Sequence, residues 1–337
     1  MKLFITGGAG FIGSQFIRDW LRLHPDDELI NFDKLTYAGN LENLASVADA
    51  PGYQLIRGDV CEPDQVFAAL PEYCDYVVHF AAESHVDRSI LSATEFVRTN
   101  VLGTQVMLDV CRARKIGRFL HISTDEVGGD IEPPHAFREA DPLAPSSPYA
   151  ASKTAAEHLV NAAVRTFGMD ALITRTSNNY GPYQFPEKLL PLAISNILAD
   201  KPVPVYGDGQ QVRDWIHVAD NCAALRLVLK EGKRGETYHI GGENPLPNLE
   251  VLKLLLRILG KPESLLTHVT DRLGHDRRYA VDCSRLQNEL GWTREIPFEQ
   301  GLRDTVRWYQ ENADWVARAR SGEYRQYYEK QYGSSSI

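Results

Sequence analysis

Cysteine is scarce in this sequence. Five residues, Cys61, Cys74, Cys111, Cys222 and Cys283, are spread along 337 positions. Their number is odd, their spacing is wide and no C-x-x-C pair occurs, which argues against a disulfide framework and against a zinc site. Reduced thiols in a cytoplasmic protein are the expectation. Long apolar runs are also missing: none approaches the roughly 18 residues that a membrane span needs. The opening MKLFITGGAGFIG is interrupted by glycines and followed by no A-x-A-like site, so it does not read as a signal peptide. Positive charge is in deficit, with 36 Lys and Arg against 45 Asp and Glu and a net charge of −9. A broad nucleic-acid or anionic-membrane surface is thereby disfavoured, while a small positive pocket for a phosphate is not. No internal repeat, low-complexity tract or block of like charge stands out.

What is present fits an ordinary globular chain, at 43% hydrophobic and 24% charged residues. The length suggests two domains and a core large enough to need no metal. Strand-like and helix-like patterns alternate through the first half. The apolar runs 2–6, 28–33, 54–60, 75–82, 118–124 and 171–177 read as strands. Helical spacing covers 11–23, 99–112 and 149–167. Short apolar strands alternating with helices predict a parallel sheet covered on both faces. After Asn178 the rhythm changes. The segments 178–191, 202–220, 243–250 and 270–282 are punctuated by Gly, Pro and polar residues, and such loops on a rigid scaffold are where sites sit.

The first strand runs directly into Thr6-Gly7-Gly8-Ala9-Gly10-Phe11-Ile12-Gly13. Glycines at this spacing permit a tight turn and let backbone N–H groups approach a pyrophosphate, which the next helix faces with its positive end. A strand before it and a helix after it are the context that gives the pattern meaning. Asp33 ends the second strand, placed to accept from a ribose hydroxyl and to repel a 2′-phosphate, so NAD is expected over NADP, an argument that the adjacent Lys34 blunts. Asp59, after the third strand, is a candidate contact on the adenine side. Tyr149 and Lys153 stand at i and i+4, hence on one helix face. An ammonium beside a phenol favours the phenolate, which can take a proton from an alcohol as hydride leaves the same carbon. Ser123-Thr124 ends a strand nearby.

Together, the glycine turn and Tyr149-x-x-x-Lys153 resemble the extended short-chain dehydrogenase/reductase family of nucleotide-sugar enzymes. Residues 80–89, 123–127, 178–192 and 213–220 narrow the resemblance to its 4,6-dehydratase branch, over nearly the whole chain. It implies an α/β fold with a Rossmann-type doubly wound parallel sheet and a smaller mixed α/β substrate-binding domain. The implied division is 1–177 for NAD, with returning segments around 203–240, and 178–202 with 241–337 for a dTDP-hexose. It also implies a homodimer through a four-helix interface built from 99–112 and 149–167. The family pattern carries cofactor contacts onto Gly7, Gly10, Phe11, Ile12, Gly13, Asp33, Lys34, Asp59, Val60, Ala81, Ala82, Asn100, Tyr149, Lys153 and Asn179. Substrate contacts fall on Ser84, Thr124, Asn178, Lys188, Leu189, Arg213, Asn248, Asp271, Arg272 and His275. Thr124, Asp125, Glu126, Tyr149 and Lys153 form the catalytic set, with Asp125 as proton donor and Glu126 as base. The cofactor is expected to stay tightly bound, because it is regenerated in each turnover.

Alternatives remain at this stage. A 4-epimerase or a decarboxylase shares the glycine turn and the Tyr-Lys pair. Only loss of water needs both an acid and a base, which the adjacent Asp125 and Glu126 can supply. An NAD-sensing protein without chemistry is the reading from another class. One departure stands out: the family carries Tyr after Asp-Glu-Val, and here that place is Gly128, so an aromatic wall beside the acid and base is expected to be lost.

Overall fold

The computed structural model describes residues 1–320. In chain order, the first half forms β1 (Lys2–Thr6), α1 (Phe11–Leu23), β2 (Glu28–Asp33), β3 (Tyr53–Arg57), α2 (Pro63–Ala69), β4 (Tyr76–His79), α3 (Val86–Leu91), α4 (Thr94–Phe96), α5 (Gly103–Arg114), β5 (Arg118–Thr124), α6 (Pro148–Phe167) and β6 (Ala171–Thr176). The second half adds β7 (Asn178–Tyr180), α7 (Leu189–Leu198), β8 (Val203–Tyr206), β9 (Val212–His217), α8 (Val218–Glu231), β10 (Thr237–Ile240), β11 (Pro245–Pro247), α9 (Asn248–Leu259), β12 (Leu266–Val269), α10 (Ser284–Leu290), α11 (Phe298–Glu311) and α12 (Ala313–Ala319).

Seven strands pair in the order β10-β6-β5-β4-β1-β2-β3. Every pairing is parallel. Side chains alternate across the pleat, so Leu3 and Ile5 join Phe16, Trp20 and Val228 on one face. Phe4 joins Phe32, Met107, Phe119 and Val160 on the other. Burial on both faces is why these strands read as nearly continuous apolar runs. The chain leaves β1 in one direction toward β2 and β3, and in the other toward β4, β5 and β6. Loops after β1 and β4 therefore diverge and open a crevice at the carboxyl ends of the strands. A smaller body flanks that crevice. It holds the sheet β11-β9-β7 and the pair β12-β8, packed with α7, α9 and α11 around Leu190, Ile194, Trp215, Leu252, Leu302 and Tyr309.

Several elements differ from the sequence pattern. β3 and β4 end at Arg57 and His79, short of Val60 and Ala82, because the residues beyond them turn out to line the crevice. The helix expected from 99 begins as a π-helical turn, Val97–Leu102, before α5. The run 178–191, read as a loop, contains β7, which pairs with β9. Within 203–240, β8 and β9 pair in the smaller sheets, and only β10 reaches the large one, beside β6. Residues 321–337 of the expected second domain lie outside the described residues.

Candidate active site

The glycine turn closes against the neighbouring strand. Gly7 has φ +70, and a Cβ there would lie 2.6 Å from the Ala81 backbone nitrogen. A Cβ at Gly13 would lie 2.5 Å from the Gly7 carbonyl oxygen. Side chains are thus excluded where β1, β4 and α1 converge. Gly10 is the N-cap of α1 and offers no side chain to the first-turn N–H groups, which leaves that positive end available to an anion. Phe11, Ile12, Ala81 and Ala82 line the same cleft, a cavity of about 330 Å³.

Asp33 reaches the cleft from the end of β2. Its two oxygens accept from Ala9 N and Leu35 N, each at 2.8 Å. Burial pushes its carboxyl up in pKa, and these two N–H groups oppose the rise. Lys34 is tied to Asp59 at 2.8 Å. Burial of Asp59 is outweighed by Lys34 and the Cys61 N–H, and its carboxyl stays below the usual range. Val60 lines the cleft beside them.

At the far end, β5 terminates in Thr124 and the chain makes a 3₁₀ turn over Asp125–Gly128. The Thr124 hydroxyl donates to Asp125 Oδ1 at 3.2 Å and accepts from Glu126 N at 3.3 Å. Both carboxyls are thereby held next to each other at the strand's carboxyl end. Asp125 is 4% exposed. Burial, and then the Glu126 charge, push its pKa up to about 8. Burial raises Glu126 too, but the charges of Arg272, Arg213 and Lys188 oppose it. A Cβ on Gly128 would lie 2.8 Å from the Phe137 ring, so that ring occupies the space a side chain there would need; Phe137 is not among the residues lining the cleft.

Tyr149 and Lys153 arrive on α6. Ser147 caps that helix by accepting from Ala150 N at 3.1 Å, and Pro148 suits its first turn. Lys153 Nζ donates to the Ile122 carbonyl at 2.6 Å and stands 3.3 Å from His121 Nε2. Burial brings it down to about 8. The phenol behaves otherwise than expected. Burial and the Glu126 charge raise the Tyr149 pKa, opposed by a hydrogen bond with Thr124. The ammonium that was to lower it is engaged by β5 instead.

The remaining expected residues divide into groups. Ser84, Asn178, Asn179 and Lys188 line the cleft, and Lys188 Nζ donates to Ser84 O at 2.7 Å. Arg213, Asn248, Asp271, Arg272 and His275 gather at β9, α9 and the loop after β12. There Arg213 donates to the Val212 and Asp276 carbonyls, and its guanidinium lies 4.1 Å from the centre of the Tyr279 ring. His275 stands 2.6 Å from Asp271, which also accepts from Gln211 at 2.9 Å. Asn248 begins α9. Arg272 pairs with Asp87 of α3, 3.5 Å away, and its charge acts on Glu126 in the cleft. Two residues fall elsewhere. Asn100 is spent on Glu83, bonding both its N–H and its carbonyl, and on Ser152, one layer behind the cleft. Leu189 packs its apolar side chain on the small body's core, since α7 starts there.

Sequence reasoning missed cleft residues as well. Ser123, Thr36, Gly39, Gln184, Phe185 and Glu187 all line it. Ser123 was visible as the neighbour of Thr124, and Gln184, Phe185 and Glu187 lie within 178–192, a segment that carried the resemblance; Thr36 and Gly39 lie in a loop without a motif. A polar dinucleotide fits this cleft. Ser123 Oγ, Asp125 Oδ2, Asn178 Oδ1 and Asn179 Oδ1 are buried along it without a partner among the described residues, and such groups call for a ligand's donors.

Comparison with known proteins agrees with this geometry. The profile of a family described as GDP-mannose 4,6 dehydratase matches residues 4–305. A dTDP-glucose 4,6-dehydratase of Streptomyces niveus is 49% identical over 319 residues, 94% of each chain. Among solved structures, the dTDP-glucose 4,6-dehydratase of Streptomyces venezuelae, with NAD bound, superposes with a TM-score of 0.92 at 48% identity, covering 95% of this chain and 100% of that one. A UDP-glucuronic acid 4-epimerase of Bacillus cereus reaches a TM-score of 0.84 at 27% identity, over 92% and 99% of the two chains.

Proposed function

This chain belongs to the GDP-mannose 4,6 dehydratase family, and from that membership and the cleft we propose that it converts dTDP-glucose to dTDP-4-keto-6-deoxyglucose with NAD, for deoxysugar biosynthesis. One observation carries the choice of a dehydratase, a hydro-lyase, over an epimerase. Two adjacent carboxyls, Asp125 and Glu126, share the carboxyl end of β5 with Tyr149 and Lys153 in one cleft.

NAD, when bound, accepts a hydride from the hexose C4 and returns it at C6. The glycine turn and the open end of α1 would hold its pyrophosphate, and Asp33 a ribose hydroxyl. Lys34, the cation next to Asp33, is engaged by Asp59. Tyr149, as the phenolate that the positive nicotinamide ring of bound NAD would favour, takes the proton from the C4 hydroxyl and becomes the phenol, with Thr124 hydrogen-bonded to its oxygen and Lys153 held behind it on the Ile122 carbonyl. A ketone at C4 then acidifies the C5 proton, because the carbanion is delocalised into it. Glu126 takes this proton, its carboxylate favoured by the nearby cations. Asp125 delivers one to the departing C6 hydroxyl, its carboxyl protonated at neutral pH by burial. Environments that push two neighbouring carboxyls apart are what such a division of labour needs. Arg213 and Arg272 suit a diphosphate, since guanidinium pairs two oxygens at once.

In this reading the large sheet, with α8 and β10, holds the dinucleotide, and the smaller body holds the sugar nucleotide. The enzyme works in the cytoplasm as a homodimer. Exposed Leu91, Val97 and Leu102 beside α5, and Ala151, Ala155, Leu159 and Ala162 along the outer side of α6, support a helix-to-helix interface. No described helix is long and apolar enough to cross a membrane. Incubation with dTDP-glucose and with UDP-glucose tests the reaction. Loss of one water by mass, with a 4-keto product, is expected from dTDP-glucose; a C4 epimer alone would replace this reading with the epimerase.

A further inference from the structure

Three stretches of chain that share no motif meet across the cleft. The Arg88 guanidinium of α3 lies 3.9 Å from the centre of the Tyr37 ring, in the loop after β2. The same ring meets Phe185, in the loop before α7, at 75° with centroids 5.6 Å apart. Arg88 Nε donates to Glu187 Oε2 at 3.2 Å, and the Tyr37 hydroxyl bonds that carboxyl as well. Glu187 is 7% exposed. Thr36, Ala38 and Gly39, on either side of Tyr37, line the cleft from one segment of the chain, and Phe185, Glu187 and Lys188 line it from another. The base of the Tyr37 loop is pinned by Asp33, which accepts from Leu35 N at 2.8 Å. None of Tyr37, Arg88, Phe185 and Glu187 has a part in the chemistry above.

We propose that Tyr37, Arg88, Phe185 and Glu187 form a clasp joining these two segments, and that this clasp retains the dinucleotide from one turnover to the next. The inference rests on the reading that the cleft binds NAD. A cofactor restored in every cycle has no need to leave, whereas the sugar nucleotide must enter and depart each time. Retention therefore calls for contacts separate from those that grip the sugar nucleotide. A cation over an aromatic face and an edge-on ring pair gain strength when water is excluded. Parting the two segments breaks both, so the clasp acts on the rate of cofactor loss.

The test is exchange of bound NAD for isotopically labelled NAD on the full chain, alongside thermal unfolding of each variant. Wild type is expected to emerge from gel filtration carrying NAD and to exchange it slowly. Tyr37→Ala and Phe185→Ala, which open the clasp from one segment and from the other, should each exchange about ten- to a hundredfold faster, as loss of such contacts implies. Tyr37→Phe keeps the ring between Arg88 and Phe185 and loses only the hydroxyl's bond to Glu187, so it should exchange more slowly than Tyr37→Ala; exchange as fast as in Tyr37→Ala would overturn the part given to the ring. Wild-type exchange in both alanine variants overturns the clasp, and so does acceleration in only one of them, since a clasp needs both segments. Failure of the wild-type protein to bind NAD at all would instead overturn the cofactor reading on which this one stands.

Discussion

Burial and the Glu126 charge raise the pKa of the Tyr149 phenol, so to serve as the proposed base at O4 it must first become the phenolate, a form that the positive ring of bound NAD would favour. Its role as the base at O4 predicts that Tyr149→Phe slows single-turnover reduction of bound NAD by about 10²–10⁴-fold, the usual scale of general acid–base help. An unchanged rate would move the base elsewhere. Glu126→Gln keeps size but cannot take the C5 proton. Hydride removal should survive in this variant, so absorbance at the NADH band should rise after adding sugar nucleotide while little 4-keto-6-deoxy product forms. Water loss at the wild-type rate would reassign the base. The pH profile follows from two groups. Asp125, raised to about 8, holds its proton below that pH and loses it above. Lys153, lowered to about 8, loses its charge over the same range. Water loss should therefore fall as pH rises through about 8. In Asp125→Asn, hydride removal should keep the Lys153 limb, while water loss is slow at every pH. A flat wild-type profile between pH 7 and 9 would contradict both assignments.

At the scale of the element, α6 matters through its first turn. Ser147 accepts from Ala150 N, and Tyr149 lies between the two. Ser147→Ala removes that cap and should cost about 1 kcal/mol of stability, readable by urea unfolding. It should slow hydride removal more than it weakens sugar-nucleotide binding, because the frayed residues carry the phenol and not the diphosphate contacts. The 3₁₀ turn after β5 is a second example. The proposed acid and base, Asp125 and Glu126, are adjacent in sequence, yet Thr124 is what orients them, by capping Glu126 N and bonding Asp125 at once.

The whole molecule places a parallel sheet and a smaller body on either side of one cleft. Exposed Leu91, Val97 and Leu102, in and before the turn that leads into α5, lie near the small apolar residues on the outer side of α6. A dimer through them should sediment at twice 37.8 kDa. Leu102→Glu, a charge on a residue 48% exposed beside α5, should shift the mass toward one chain without altering NAD content. A monomeric wild type would remove the interface.

Local pattern alone determined a good deal here. Strands β1, β2 and β5 carry the bounds read from their apolar runs, since burial on both faces leaves an uninterrupted signal. The glycine turn was legible because only glycine tolerates the close approach of Ala81 to Gly7. Tyr149 and Lys153 were legible because helical spacing puts them on one face. Other features exist only after the chain has folded. Asn100 sits in the right segment, but Glu83 and Ser152 consume its hydrogen bonds. Phe137, nine positions along the chain, packs where a side chain at Gly128 would go, through a loop that no periodicity describes. Tyr37, Arg88 and Phe185 touch across three separate loops and helices. The raised Asp125 and Tyr149 reflect burial, which a sequence does not state residue by residue. Spacing encodes what is near along the chain, and the packing of distant segments decides which side chains lose water and which charges they face.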